Sequence, residues 1–377
     1  MEVFRQNVLR KFNKDKKMKS LLFFFLFSVA YGQTDLTKYL PKGYNKTGEV
    51  DYTDYLQKGL NENVNVQFPD FPVLINVKGL NVRSNQVLNF SKNSKLMMKP
   101  NSEEMFGILN IKFAENVTVN NPNLVGDKDK HLGTKGEWGM GINIMASKNV
   151  TINNPIISKT WGDGIYIGEP TEAEKKTKKL KSYENQNITI NKGVIDDCLR
   201  NGISVISGIN VLIDGTTIQN INSKAPKAAI DVEPNNKNNK IKNIKLCNIT
   251  TKNNFNGIVV FLVKLVQERK YDIGEILIEN HRDYNSKGAL TIRIYSEKDH
   301  KDKIYQAING IIRIKDNSYF GTTNVYSHNK DIKYNPKIEF SNIKYYKQVG
   351  DKYLLDTNAI NLLKSRIKID PQVKIVQ

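Results

Sequence analysis

Glycine or alanine followed by an apolar residue recurs down the middle of this chain. The copies are Gly107-Ile108, Gly141-Ile142, Gly164-Ile165, Gly202-Ile203, Ala229-Ile230, Gly257-Ile258 and Gly310-Ile311, with Gly288-Ala289-Leu290 as a looser copy. Two gaps are 23 and 22 residues, and the others are 34, 38, 27, 28 and 31. A floor length with insertions on top describes a repeated coil, and a repeat of this size sets the architecture before any single residue is read. A second, offset repeat accompanies it: Asn116-Val117-Thr118-Val119, Asn149-Val150-Thr151-Ile152, Asn187-Ile188-Thr189-Ile190, Asn210-Val211-Leu212-Ile213 and Asn243-Ile244-Lys245-Leu246. Each is a short alternating segment entered through an asparagine, and alternation at period two means a strand with one buried face. Asn and Gly punctuate corners that need left-handed backbone angles. Strands this short bury no face alone, but stacked coil on coil they form a continuous core. The expected fold is all-β, a single-stranded right-handed parallel β-helix. A propeller needs four strands and about 40 to 50 residues per unit, more than the shortest coil offers.

The rest of the chain is read around that solenoid. Residues 1–32 have the pattern of a signal peptide: Lys16, Lys17 and Lys19, then the apolar run Leu21 to Phe27, then Ala30-Tyr31-Gly32 before Gln33. The run is too short for a permanent membrane span. Met18 is an alternative start, and the expected location is periplasmic or secreted. Residues 33–65 are a lead-in and N-terminal cap, in which Tyr52, Tyr55, Leu56 and Leu60 predict a short capping helix. Residues 66–330 are the β-helix, and 331–377 are terminal coils or a C-terminal cap. Cys198 and Cys247 fall at different offsets from Gly202 and Gly257, so two unbridged, buried thiols are expected. The net charge is +19, and removing the seven basic and two acidic residues of the first 32 leaves about +14. Such a field attracts polyanions. No nucleic-acid motif is present, so an acidic polysaccharide is the expected partner. The run Lys175-Lys176-Thr177-Lys178-Lys179-Leu180-Lys181 fills part of the longest gap and reads as a wet loop on one bank of a groove.

The repeated glycine also serves as a ruler. Two residues after it stand Leu109, Asn143, Tyr166, Ser204, Asp231 and Val259; one before it stand Phe106, Met140, Asp163, Asn201, Ala228 and Asn256; two before it stand Gly139, Gly162, Arg200, Lys227 and Phe255. Side chains in one column stack about 4.8 Å apart. Asp163, Tyr166, Arg200, Ser204, Asp231 and Glu233 are therefore expected on one exposed strip. The insertion 126–139, which holds His131, Glu137 and Trp138, should overhang it, and Trp161 lies beside Asp163. Aromatic faces next to carboxylates suit a sugar-binding cleft.

Four segments carry a resemblance: Gly-Glu-Trp-Gly-Met-Gly-Ile at 136–142, Trp-Gly-Asp-Gly-Ile-Tyr-Ile-Gly at 161–168, Arg-Asn-Gly-Ile-Ser-Val at 200–205 and Ile-Asp-Val-Glu-Pro-Asn at 230–235. Over roughly 50–260 the chain resembles the right-handed β-helix, pectate-lyase-like superfamily of secreted bacterial carbohydrate-active proteins. That resemblance implies the fold and a polysaccharide ligand; the superfamily's reactions differ among hydrolases, lyases, epimerases and non-catalytic proteins. Hydrolysis would use Asp163, Asp231 and Glu233 as the carboxylates, since crowding raises one another's pKa. Arg200 and Lys227 would hold an anionic sugar, with Trp138, Trp161 and Tyr166 as platforms and Glu137, Ser204 and His131 as further contacts. A uronate lyase on the same groove would use Arg200 or Lys227 to neutralise the sugar carboxylate and His131, Tyr166 or a lysine as base. No cofactor is expected for hydrolysis; in a lyase the alternative to Arg200 or Lys227 is Ca²⁺, the common neutraliser among the proteins it resembles, with Asp127-Lys128-Asp129 as the ligand source. Asp196-Asp197 is not followed by the Gly-His-Gly of polygalacturonases. A non-catalytic glycan-binding protein is the third reading.

Overall fold

The computed structural model describes residues 32–180, 182–294, 305–328, 334–358, 360–361 and 373–376. The expected signal segment thus lies outside the described residues except for Gly32. Among the described residues no helix is long and apolar enough to cross a membrane.

The chain winds into a parallel β-helix whose described residues form three sheets of 12, 9 and 11 strands. Each strand pairs with the strand one coil later. In the nine-stranded sheet Trp138–Met145 pairs with Ile165–Gly168, which pairs with Ile203–Val205, which pairs with Ala228–Val232. Near the end Lys337–Ser341 and Lys344–Val349 extend two of the sheets, and Lys352–Leu355 folds back antiparallel on the latter. At the other end the helix Thr53–Glu62 buries Leu56, Gly59 and Leu60. Gln86 Nε2 donates to the carbonyls of Leu60 and Asn63, both at 2.7 Å, satisfying acceptors that a helix end leaves unpaired.

The repeated glycines are explained by space, not by backbone angle. A Cβ on Gly141, Gly164 or Gly202 would stand 2.7, 2.6 or 2.3 Å from the Cγ2 of Ile157, Ile195 or Ile218, side chains from the 11-stranded sheet across the core. The same Cβ would also press within 2.7 Å of the next coil's carbonyl oxygen. The asparagines are explained by the backbone. Asn85, Asn116, Asn149, Asn187, Asn210 and Asn243 all have φ between 54° and 63°. Their amides form a continuous ladder along the solenoid, each Nδ2 donating to the Oδ1 one coil earlier at 2.9–3.1 Å. Gly274 ends it: a Cβ there would lie 2.2 Å from Asn243 Oδ1.

The ruler slips in two places. Gly107 pairs with Met140, not Gly141, and Leu109 pairs with the inward Ile142. The outward partner of Asn143 is Asn110. Gly310 is not a copy at all. It lies in Ile308–Lys315 of the 12-stranded sheet, at a register shift opposite Asp272 and Glu275, with φ 104°. The copy that follows Gly257 is Ala289, since Ile258 pairs with Leu290. Both cysteines are unbridged; Cys198 is buried, but Cys247 is only half-buried, because it stands in the outward column Asp214–Cys247–Glu279. Lys175, Lys176 and Lys178 lie on the helix Glu172–Lys178, not on a loop, because Thr171 and Glu174 form a reciprocal capping box at its start.

The ladder makes a prediction. Asn149→Ala removes two amide bonds and leaves a β-carbon at positive φ, so it should cost about 2–3 kcal/mol. Asn149→Gly keeps the angle unstrained and should cost less. Urea unfolding of the two variants checks this; equal costs would show that backbone angle is not what selects asparagine here.

Candidate functional site

Paired strands put Asn81, Asn110, Asn143, Tyr166, Ser204 and Asp231 into one outward column of the nine-stranded sheet. The column does not fade to an apolar residue at its N-terminal end, as Leu109 would require; it continues as amides. Asn110 Nδ2 donates to the Gly107 carbonyl at 3.3 Å, and Asn143 Nδ2 donates to Asn110 Oδ1 at 3.0 Å. Gly107 permits this, since a Cβ there would be 2.4 Å from Asn143 Nδ2. A groove of about 350 Å³ runs over these residues. Met105, Phe106, Trp138 and Met140 line one side, and Lys112, Glu169 and Thr171 the other.

Next to the groove, past Tyr166, the acidic residues come together. Asp163 Oδ1 accepts from the Asn201 backbone N–H at 3.1 Å, and its Oδ2 accepts from Ser204 Oγ at 2.7 Å. Asn201 Nδ2 donates to Ser204 Oγ at 3.0 Å and to Asp231 Oδ2 at 3.2 Å, while its Oδ1 accepts from the Ala228 N–H at 2.9 Å. Asn201 therefore joins three coils, two through its side-chain amide and the third, that of Asp163, through its backbone N–H. Asn201 is the residue that sequence reasoning missed; its signal was its place directly after Asp163 in the column preceding the glycine.

The strip was expected to be exposed, and the structure corrects this. Asp163, Asn201, Ser204 and Asp231 are at most 1% exposed. The cover comes from the overhanging segment. The Glu137 carbonyl packs on Gly162, where a Cβ would meet it at 2.8 Å. The Glu137 carboxylate pairs with Arg200 Nε at 3.4 Å and Lys224 Nζ at 2.8 Å. Burial then sets the protonation. It raises Asp163, with Arg200 acting against it. Asp231 is raised well above the ordinary carboxylate range, first by burial and then by the negative charge of Glu233. Asp231 Oδ1 has no hydrogen-bond partner, which leaves it free to carry the proton that burial favours. Burial also pushes the Tyr166 hydroxyl above its usual range, with Asp163 adding to it; Tyr166 is kept as a neutral phenol.

The remaining predicted residues divide. Trp138 is 37% exposed on the groove wall. His131 and Trp161 are instead stacked on each other at 4.0 Å, with Phe106 beyond His131. The His131 side chain is fully buried and its Nδ1 lies 2.8 Å from Asp127 Oδ2. Neither ring offers a face to the groove: the pair staples the insertion to the coil stack. Lys227 does not reach the cluster; its ammonium lies 5.2 Å from the Phe255 ring centroid. Asp127 and Asp129 do not form a joint cation site either. Asp127 Oδ2 is held by Asn101 and His131, and Asp129 pairs with Lys159. No group of three or more His, Cys, Asp or Glu side chains is placed to hold a metal among the described residues.

No protein-family model matches the sequence, and no curated protein matches it. Solved structures do match. One is the tailspike protein gp49 of Acinetobacter baumannii bacteriophage Fri1, described as a capsular polysaccharide depolymerase: TM-score 0.53, 13% identity, covering 85% of this chain and 60% of that one. Another is a mutant tailspike protein of E. coli bacteriophage HK620 in complex with a hexasaccharide: TM-score 0.56, 11% identity, covering 84% of this chain and 57% of that one. This chain thus spans less than two thirds of either tailspike. At such identities the likeness establishes the fold: a right-handed parallel β-helix.

Asp231 generates a stability prediction. Its folded pKa is raised above the ordinary 3.8, so the folded state holds a proton that the unfolded chain releases. That contribution is fully present below the unfolded pKa and is lost as pH rises through the folded one. This contribution should fall with pH above about 4, and Asp231→Asn, which mimics the protonated acid, should lessen the fall while Asp163 keeps its own share. Denaturation midpoints measured across pH test it; identical slopes in both proteins would show that Asp231 is ionised when folded.

Proposed function

We propose that this chain is a secreted or periplasmic polysaccharide-degrading enzyme that hydrolyses a glycosidic bond of an anionic glycan. The observation that carries the reading is Asp231 beside Glu233: burial, and then the negative charge of Glu233, holds the Asp231 carboxyl well above the ordinary carboxylate range. A carboxyl that stays protonated where others ionise is what a general acid requires. Glu233 is the more exposed of the two, so it is the carboxylate better placed to meet the sugar. In the proposed step the pair protonates the leaving glycosidic oxygen as its bond to the anomeric carbon breaks. Water adds to that carbon. Its proton passes to solvent. Asp163, held by Ser204 and Asn201, does not touch the sugar, which revises its expected place among groove-facing carboxylates. Arg200 steadies the negative charge of the cluster, and Trp138 offers its exposed face to a sugar ring. The glycan-binding and depolymerising tailspikes share the fold and support the substrate class by analogy.

The test is a screen of purified protein on polygalacturonate, alginate and a neutral glucan, read by reducing ends and by the ultraviolet absorbance of unsaturated uronates. Reducing ends without the chromophore are expected on an acidic polymer. Glu233→Gln and Asp231→Asn should each lower kcat by about 10²-fold or more with an unchanged circular dichroism spectrum. Unsaturated products would replace hydrolysis with elimination on this groove; binding without any product would make the chain a glycan-binding protein.

A further inference from the structure

We propose that Lys227, Phe255 and Lys287 form an anion-binding subsite for an acidic sugar unit, on the C-terminal side of the carboxylate cluster; this rests on the glycan-active reading above. The three residues precede Ala228, Asn256 and Gly288, which pair in register across three successive coils. They therefore continue the column in which Arg200 stands one coil earlier. Phe255 is an exposed large apolar side chain. Both ammonium groups converge on its ring, Lys227 at 5.2 Å and Lys287 at 4.5 Å from the centroid. Neither lysine has a carboxylate partner among the described residues, whereas Lys112, Lys128, Lys159, Lys175 and Lys224 each have one.

Two like charges drawn to one ring repel each other, and a cation–π contact returns only about 0.5–1 kcal/mol each at an exposed site. A carboxylate or sulfate at the exposed edge of the ring offsets the repulsion and accepts a charge-assisted hydrogen bond from each ammonium. The two lysines stand two coils apart, about 9.6 Å at about 4.8 Å per coil, and the ring between them holds both heads inward as a two-pronged receptor. Lys227 is four residues before Asp231 in the same coil, at most about 13 Å of extended chain, so an anion held here belongs to the same glycan as the bond at the carboxylates. The groove on the other side of the cluster lacks this capacity. Its charged residues Lys78, Lys112 and Glu169 are already paired with Asp54, Glu174 and Lys175. Selection for the anion is thus placed on one side of the cluster only.

The experiment is titration calorimetry on the full chain carrying Glu233→Gln, so that glycans stay intact and the result does not depend on which bond is broken. The probes are trigalacturonate, a carrageenan tetrasaccharide and maltotriose. Binding of either acidic probe over maltotriose is expected, and which one binds tells carboxylate from sulfate. Lys227→Gln with Lys287→Gln should weaken it tenfold or more and flatten its salt dependence, at an unchanged melting temperature; Phe255→Leu should weaken it less. Equal binding of maltotriose, no binding of either acidic probe, or full affinity in the double-lysine variant would each overturn the subsite. Loss of polysaccharide hydrolysis with retained acidic-probe binding would instead overturn the hydrolase reading and leave the subsite standing.

Discussion

Parallel pairing of each coil with the next is the constraint on which everything else in this molecule depends. It fixes lateral register, so a residue's neighbours along the solenoid are its counterparts one coil away. Tyr166, Ser204 and Asp231 are 38 and 27 residues apart in sequence yet stand in adjacent paired positions. The asparagine ladder reinforces the register from outside, because an amide at a left-handed corner can reach only the amide directly below it. The glycine column reinforces it from inside at Gly141, Gly164 and Gly202, where a Cβ would press on an isoleucine across the core. Both devices work only if every coil keeps its place.

That register also creates the electrostatics of the site. A column places like charges near one another whether or not water is present, and the segment around Glu137 removes the water. Asp163 and Asp231 are consequently held by hydrogen bonds from Asn201 and Ser204 rather than by solvent. Burial is the largest influence on both carboxylates, ahead of any charge partner. The net positive charge of the chain plays little part there: Arg200 and Lys224 share Glu137.

Much of this was legible in the residues. Asparagine at positive φ and glycine under a facing isoleucine are local demands, so they leave a period in the sequence. The column through Asn143, Tyr166, Ser204 and Asp231 followed from that period and is the observed one. Where the ruler failed, the cause was a glycine serving a different purpose. Gly107 makes room for the Asn143 amide one residue out of step, and Gly310 sits at a register shift in another sheet. A Gly-Ile dipeptide is the same in all three settings, and only its partners tell them apart.

Insertions are where sequence reasoning stops. Their lengths show that chain is available to overhang the strip, but not which of its side chains turn inward. His131 and Trp161 are 30 residues apart, and nothing local says that their rings stack and leave the groove. The sequence by itself determined the coil, its corners and the column that carries the carboxylates, because those follow from short-range backbone and packing rules repeated many times. Only the tertiary structure decided that the carboxylates are buried, that Asn201 joins them, and that two lysines are left facing one phenylalanine. Those outcomes depend on single, non-repeating contacts between coils, for which a period carries no information.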